Sequence, residues 1–289
     1  MEQTDRRDIW TGAVCMLLAS LCFSTGGLGI KLLPWSAMAI NGARNLVGAS
    51  VIGHFLLFTR HKLTFSTPVF IGALSMMGVT TFFTMANKMT TAANAIVLQF
   101  TAPVFVILLM ALLFHVKPRR ADIFACAAVL LGVCIFFVDG FRAGSQLGNF
   151  VAILSGVCYA GVFMMNASEK SDAISSCFLG QLAAGVLFSP FCLRETDFSA
   201  RTLVTVFALG AVQIGLAYIF FSLGIRRTPP VTASLITGLE PVLNPIWVAI
   251  FYHETISGLA AVGAVVVVGS LIVYNAWIAK NPAPPARAE

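Results

Sequence analysis

Two charged side chains lie inside long apolar stretches, and they are the first candidates for chemistry in this sequence. Glu240 follows Pro230 by ten residues, or about 15 Å of helix, which is half of a roughly 30 Å hydrocarbon core. Arg44 follows Trp35 by nine residues and therefore lies at a similar depth, about 13 to 14 Å. A cation and an acid at one depth could bind the two ends of an amphoteric solute, and Glu240 is the candidate for proton coupling. The alternative is a fixed ion pair that only holds the helices together.

Uncharged polar residues recur at helical spacing in the same kind of apolar stretch. Thr80, Thr84 and Asn87 share one helical face, and Glu240 and Asn244 share another. With isolated polar residues elsewhere, they predict a polar path through the protein. The predicted substrate-binding residues are Arg44, Thr84, Asn87, Gln99, Tyr159, Gln213, Tyr218, Glu240 and Asn244. For any one of the uncharged residues, the alternative role is a hydrogen bond between helices.

Three prolines predict interruptions of the helices near these polar residues. Pro241 directly follows Glu240, Pro245 lies one turn later, and Pro103 occurs in a similar stretch of the first half. A proline removes a backbone hydrogen bond from a helix and frees a carbonyl oxygen. In a membrane, such groups must be packed in protein or face a water-filled cavity. We therefore predict helix breaks at Pro103, Pro241 and Pro245 that border the binding site.

The elements that carry these residues are predicted to be transmembrane helices. Hydrophobic residues make up 58% of the chain, charged residues make up only 10%, and the mean hydropathy is +0.89, whereas a soluble domain is about one-quarter charged. Runs that are apolar on every face, such as 260–274, argue against a β-barrel. We predict an all-α membrane protein with ten transmembrane helices, at residues 10–30, 35–58, 68–87, 93–114, 121–138, 149–167, 175–192, 202–224, 231–252 and 257–278.

The distribution of charge sets the predicted topology. Most of the 18 lysines and arginines fall in segments that share a side with the N-terminus, so both termini are predicted to be cytoplasmic. The net charge of +6 therefore reflects topology and predicts no nucleic-acid partner. The first apolar segment is of full spanning length, and we expect it to remain as the first helix. Residues 279–289 are rich in Pro and Ala and are predicted to be a disordered cytoplasmic tail.

Two internal repeats organise the predicted fold. Gly12 aligns with Gly148 without gaps in the first span of each half, and Pro103 aligns with Pro241 later in the halves. Because each half holds five spans, an odd number, the second half enters the membrane in the opposite sense to the first. Such inverted repeats hold a binding site near the membrane midplane. We predict two inverted five-helix repeats, residues 1–144 and residues 145–278.

Catalytic and metal-binding motifs are absent from the sequence. The seven cysteines include no CxxC pair, so neither a zinc site nor a disulfide framework is indicated. No HExxH, GxSxG or Walker A motif occurs, so we expect no cofactor, no metal and no enzymatic activity. The fifth and tenth predicted spans carry few polar side chains. We expect them to face lipid or a second copy of the chain in a homodimer.

One stretch of the sequence resembles a known family. The segment LEPVLNPIWVAIFYHE, Leu239 to Glu254, resembles the second-repeat signature of EamA-type transporters in the drug/metabolite transporter superfamily. In that signature a Glu-Pro pair near mid-helix leads to a glutamate at the helix end, and Glu240, Pro241 and Glu254 occupy those positions. An arginine within the second span is also common in the family, and Arg44 matches it.

The resemblance implies export of small metabolites or drugs through a central cavity. The repeats, the matched prolines and the two midplane charges predict a secondary transporter of the inner or plasma membrane that works by alternating access. Ala102 and Val116 stand where the first half of the pattern would carry two further acids, so the resemblance supports no symmetric role for two carboxylates. The cation and the acid favour an amino-acid-like or otherwise amphoteric cargo. The alternatives are an uncoupled facilitator or channel with the same cavity and, less favoured, an intramembrane enzyme.

Overall fold

The structure of the chain is a computed structural model. It describes residues 2–113, 115, 118–143, 146–166, 168, 170–225, 227, 236, 238–254 and 256–281. Within this part of the chain every regular element is a helix and no strand occurs, which confirms the predicted all-α class. The last helix continues to Lys280, and residues 282–289 of the predicted tail lie outside the described residues.

Helices of the first half begin at polar caps that the sequence supplies. Ser36, Ser66 and Thr91 each accept a backbone N–H in the first turn of the helix that follows. Pro68 lies in the first turn of its helix, where its missing N–H breaks no bond. The helices of this half are α1 (Glu2–Ser24), α2 (Gly26–Leu32), α3 (Ala37–Thr59), α4 (Thr67–Met89), α5 (Ala92–Gln99), α6 (Ala102–Leu113) and α7 (Arg120–Ala143).

The second half contains one helix with a wide turn in its middle. This long helix consists of α10 (Ala200–Ala208), a π-helical segment (Leu209–Leu216) and α11 (Ala217–Ile225). A short 3₁₀ segment, Ser189–Arg194, extends the helix before it. The other helices of this half are α8 (Gln146–Asn166), α9 (Ala173–Phe188), α12 (Glu240–Tyr252) and α13 (Gly258–Lys280).

Six helical stretches of the described chain are long and apolar enough to cross a membrane: Trp10–Leu32, Thr67–Met89, Ala92–Leu112, Gln146–Met165, Ala173–Arg194 and Ala200–Gly224. Gly258–Tyr274 is a shorter apolar helix. Helix α3 is not among the six, although it has 23 residues, and it carries Asn41, Arg44 and Asn45. All three side chains are buried, so the polar face of α3 packs on protein. The number of ten spans and the cytoplasmic termini stay predictions.

The helices approach each other closely around the centre of the bundle. Helix α4 packs on α8 and α9, and α3 packs on α9 and on the π-helical segment. Two glycines permit backbone contact: a Cβ on Gly180 would lie 2.6 Å from the carbonyl oxygen of Ala73, and one on Gly210 would lie 2.7 Å from that of Arg44. Small residues at such contacts are typical of packed membrane helices. Helices α7 and α13, which hold the fifth and tenth predicted spans, pack mainly on each other.

Candidate functional site

A small polar cavity lies at the centre of the bundle. Its volume is about 40 Å³, which accommodates water, so the walls must move before a larger solute can enter. Six of the nine predicted substrate-binding residues line it: Arg44, Gln99, Tyr159, Gln213, Tyr218 and Glu240. The other lining residues are Phe23, Val79, Thr80, Phe83 and Ile214. The structure thus brings together polar side chains from both halves of the sequence.

Arg44 is the buried cation of this cavity. The residue is 1% exposed, and its guanidinium donates from Nη1 to Gln213 Oε1 at 3.0 Å and from Nη2 to the carbonyl oxygen of Thr80 at 3.1 Å. No described residue accepts a hydrogen bond from Nε, and none forms an ion pair with Arg44. Two neutral acceptors therefore hold the guanidinium in place, and its charge has no partner among the described residues. A buried charge of this kind is costly without an anion.

Glu240 is the acid of the cavity and the first residue of α12. A carboxylate at that position lies at the positive end of the helix dipole, where negative charge is favoured. Arg44 and Glu240 line the same cavity but form no ion pair with each other in this conformation. The alternative of a fixed buried pair therefore does not describe this arrangement.

A helix break in the first half and a helix start in the second border the cavity. Helix α5 ends at Gln99 and α6 begins at Ala102, so Pro103 lies in the first turn of α6. Pro241 likewise lies in the first turn of α12, and most of the residues before Glu240 lie outside the described part of the chain. Gln99, before the break, and Glu240, at the helix start, both line the cavity. The third predicted break differs, because α12 continues through Pro245 to Tyr252.

Three predicted substrate-binding residues do not line the cavity. Thr84 donates from Oγ1 to the carbonyl oxygen of Thr80 at 2.7 Å, and Asn87 donates from Nδ2 to that of Phe83 at 3.0 Å. These bonds lie within α4. Asn244 is fully buried, and among the described residues neither its Nδ2 nor its Oδ1 has a hydrogen-bond partner.

The glycines of α2 lie in close contact with the side-chain amides of two buried residues, Asn244 and Gln213. A Cβ on Gly27 would lie 2.1 Å from Asn244 Oδ1, and a Cβ on Gly26 would lie 3.1 Å from Gln213 Nε2. The stretch STGGLG is thus a site of close packing between α2, the π-helical segment and α12. Gln213, which holds Arg44, is itself confined by this contact.

A second cavity of about 320 Å³ adjoins the first. Phe23, Tyr159 and Tyr218 line both cavities, so their rings form the partition between the two. The rings of Phe23 and Tyr218 meet edge to face with centroids 4.9 Å apart, and Tyr218 Oη donates to Met76 Sδ at 3.0 Å. Ser171, between α8 and α9, also lines the second cavity. This cavity therefore reaches the end of the bundle where α8 ends and α9 begins.

The opposite end of the bundle is held by an ion pair that the sequence did not predict. Lys31 Nζ lies 2.8 Å from Glu254 Oε2 and donates to the carbonyl oxygen of Thr90 at 2.8 Å. Glu254 Oε1 in turn accepts from the backbone N–H of Ala92 at 2.7 Å. The pair joins the ends of α2 and α12 to the start of α5. We call these four residues the ion-pair gate.

The sequence does not link the members of this gate. Lys31 contributes only to the predicted topology, and Glu254 is singled out only by the family resemblance. A usable signal existed, because both charges lie at helix ends on the same predicted side of the membrane. Nothing in helical periodicity indicates that residues so distant in sequence come into contact.

Comparison with protein families finds two matches within the chain. The model described as "EamA-like transporter family" matches residues 10–138 and again residues 146–276. Together the matched segments cover most of the sequence.

Comparison with individual proteins finds full-length similarity at low identity. The chain is 20% identical over 291 residues to the threonine/homoserine exporter RhtA of Salmonella typhimurium, in strains SL1344 and LT2, with 96% of each chain covered. It also matches a solved crystal structure with a TM-score of 0.65 and 17% identity, over 94% of this chain and 99% of that one. At that identity the structural match shows a shared fold.

Proposed function

The chain belongs to the EamA-like transporter family, and from this premise we propose that it exports small amino-acid-like solutes by alternating access. It is a multi-pass protein of the cell membrane with a small-molecule substrate, and it is a transporter rather than an enzyme. The name of its relatives, threonine/homoserine exporter, supports a cargo with both a carboxylate and an ammonium group.

The observation that carries this proposal is the unpaired charge of Arg44. A buried guanidinium without a counter-ion favours an anion from outside the protein, and a carboxylate suits its planar donors. Its Nε has no acceptor among the described residues and remains available for such a bond. Glu240 lines the same cavity and supplies a carboxylate for the ammonium group. One cavity thereby offers complementary charge to both ends of an amino acid.

Alternating access is supported by the barriers on either side of the cavity. The ion-pair gate closes the end at Lys31 and Glu254, where Nζ lies 2.8 Å from Oε2. Toward the other end, the aromatic partition separates the central cavity from the larger one. We infer that the gate and the partition open in turn, each while the other is closed.

The architecture we propose is a pair of inverted five-helix repeats, residues 1–144 and 145–278, with ten spans and cytoplasmic termini. The separate family matches to 10–138 and 146–276 support the division. The equivalent helix starts just before Pro103 and Pro241 support it too. His115 and His253, which align in the repeats, both have left-handed backbone conformations, with φ of 54° and 57°. Inverted repeats hold their substrates at the interface between them.

The test of cargo and site is flux through purified protein in vesicles. Loaded proteoliposomes should release threonine, homoserine or another amino acid in a saturable, protein-dependent manner. Arg44→Ala should lower the transport efficiency by tenfold or more, because the carboxylate of the cargo loses the buried cation that it binds. Arg201→Ala, which removes an exposed arginine, is the control and should transport normally. Absence of flux for every amino acid, amine and organic acid would contradict the cargo, and normal flux in Arg44→Ala would contradict the site.

Proton coupling through Glu240 is the second part of the proposal. An imposed pH gradient should accelerate flux in the unmodified protein and have no effect in Glu240→Gln. The rival is a facilitator with the same cavity and no coupling. Flux that is independent of the pH gradient in both proteins would support the uncoupled facilitator instead.

A further inference from the structure

An apolar groove runs along the outer side of the α7–α13 pair, away from the central cavity. It encloses about 600 Å³, and its walls include Phe124, Ala125, Ala128, Val265, Gly269 and Trp277. A Cβ on Gly269 would meet no atom within 4 Å, so the groove is open at that residue. Phe124 is 75% exposed and Val265 is 72% exposed, which places this side against the membrane or another protein.

The hydroxyl groups in the groove wall are already bonded to the protein. Ser270 Oγ donates to the carbonyl oxygen of Val266 at 2.6 Å, and Tyr274 Oη donates to Asp122 Oδ1 at 2.8 Å. Asp122 also accepts from the backbone N–H of Arg119 at 2.7 Å. The groove therefore offers an occupant mainly apolar contact.

One end of the groove is strongly basic. The Arg119 guanidinium lies over the Trp277 ring, 5.1 Å from its centroid, and donates to the carbonyl oxygen of Asn281 at 2.9 Å. Arg120 precedes the groove residue Ala121, and Lys280 lies one helical turn beyond Trp277; both are exposed. Among the described residues neither forms an ion pair. This is the end that the charge distribution predicts to be cytoplasmic, where membranes carry anionic lipids.

We propose that the groove binds an anionic phospholipid, with an acyl chain between α7 and α13 and the headgroup phosphate at Arg120 and Lys280. The apolar walls match the chain, and the two unpaired cations match the phosphate. A second copy of the protein fits less well. Two parallel copies related by a two-fold axis at this groove would bring their basic ends together, and like charges repel.

The test uses the full chain in non-ionic detergent with two lipids that share acyl chains, phosphatidylglycerol and phosphatidylcholine. Native mass spectrometry should show a retained phosphatidylglycerol adduct, and this lipid should raise the melting temperature more than phosphatidylcholine does. The double variant Arg120→Gln, Lys280→Gln should bind phosphatidylglycerol about tenfold to thirtyfold more weakly. Arg60→Gln, Lys62→Gln removes two exposed cations elsewhere and should bind it normally.

The groove itself is tested by filling it. Gly269→Leu adds a side chain where the structure has free space, so the protein should fold and lose the adducts of both lipids. Val262→Leu, at an exposed position of the same helix that does not line the groove, should keep them. Equal retention of the two lipids by the unmodified protein, or unchanged binding in Gly269→Leu, would overturn the proposal. So would a dimer that Gly269→Leu converts to a monomer, because a second copy would then occupy the groove.

Discussion

Arg44 is positioned by the side-chain amide of Gln213 and the backbone carbonyl of Thr80. Because neither acceptor is charged, the positive charge of the guanidinium stays available to a ligand. A glutamine at position 213 accepts from Nη1 without neutralising the guanidinium. The packing of Gly26 against Gln213 confines the amide, and through it the arginine. A carboxylate in place of the amide would satisfy the same hydrogen bond and cancel the charge that the proposed cargo needs.

We predict that Gln213→Glu raises the KM for an amino-acid cargo by roughly tenfold or more, because the new carboxylate competes with the cargo for Arg44. The same change should raise the melting temperature, because a buried charge gains a counter-ion. Both effects are measurable on one purified protein, by vesicle flux and by thermal unfolding.

Gln213→Met is the matched control for this prediction. It has a similar length and no charge, so it removes the acceptor from Arg44 and leaves the guanidinium unpaired. We expect a lower melting temperature and a KM much closer to that of the unmodified protein. If Gln213→Met and Gln213→Glu shifted KM equally, charge competition would not be the cause.

At the residue scale, the sequence predicts the charged residues of the cavity better than it predicts which uncharged residues line it. Arg44 and Glu240 stand out because charges inside apolar helices are rare, and both line the cavity. Helical spacing predicts Thr84 and Asn87 to line it, yet both donate to carbonyl oxygens within α4, and Thr84 also donates to Asn41 of α3. Spacing identifies the face on which a residue lies, whereas the neighbour of that face depends on how the helices pack.

Among the elements, the short helices α5 and α12 determine where polar groups can lie. Helix α5 is only eight residues long and begins beside the ion-pair gate, at Ala92, and ends at the cavity, at Gln99. Helix α12, with 13 residues, runs in the opposite sense, from Glu240 at the cavity to Tyr252 near the gate. A displacement at the gate can therefore reach the cavity along either helix.

We predict that Glu254→Gln or Lys31→Gln loosens this gate. Backbone amides at residues 26–33 and 90–96 should exchange hydrogen roughly fivefold to thirtyfold faster, as expected for a loss of 1 to 2 kcal/mol. Amides at the far ends of the same bundle, such as 60–66, should exchange at unchanged rates. Hydrogen exchange followed by mass spectrometry measures both regions in one experiment.

The charge-reversed pair provides the control for the gate. Lys31→Glu combined with Glu254→Lys restores opposite charges, although the new residues cannot reproduce the bonds to Thr90 and Ala92. We expect partial recovery of protection. If the charge-reversed double variant showed no recovery and its amides exchanged at least as fast as those of Lys31→Gln and Glu254→Gln, the ion pair would not hold the gate.

For the whole molecule, the second half is attached to the first at the end opposite the gate. His61, after α3, bonds through Nε2 to Asp172 Oδ2 at 2.8 Å, just before α9. Ser175 Oγ also donates to Asp172 and accepts from the backbone N–H of Thr64 at 3.1 Å. Burial raises the pKa of Asp172, but the hydrogen bonds from Ser175 and His61 and the His61 charge outweigh it, so the pKa is lowered below 3.8.

We predict that Asp172→Asn destabilises the protein at neutral pH and that the difference disappears in acid. Because folding lowers the pKa of Asp172, its carboxylate stabilises the folded state above the ordinary pKa and loses this effect as the pH falls through the folded value. The melting temperatures of the two proteins should therefore converge as the pH falls below 3.8.

Asp197→Asn is the control for this prediction. The pKa of Asp197 is also lowered by hydrogen bonds, from Thr202 and Ser199, but these donors lie close by in sequence, at the start of α10. Among the described residues its carboxylate accepts from no other part of the chain. We expect Asp197→Asn to lower the melting temperature at neutral pH less than Asp172→Asn does. An equal change in both variants would show that attachment between the halves contributes nothing.

The sequence indicates the overall plan of the molecule from composition and from its own internal similarity, because both are properties of whole segments. Apolar segments predict helices, and the alignment of Pro103 with Pro241 anticipates helices that begin at similar places in both halves. Contacts such as His61 with Asp172 or Lys31 with Glu254 depend on the arrangement of helices in three dimensions, which no local pattern records.

The wide turn at Leu209–Leu216 changes the angular register of the helix that carries it. In a regular α-helix with 3.6 residues per turn, Gln213 and Tyr218 would point about 140° apart. The π-helical segment closes its bonds one residue later, and both side chains line the same cavity. A helical wheel drawn with constant 100° steps therefore misplaces α11 relative to α10, and the two residues become neighbours only when the extra residue in the turn is counted.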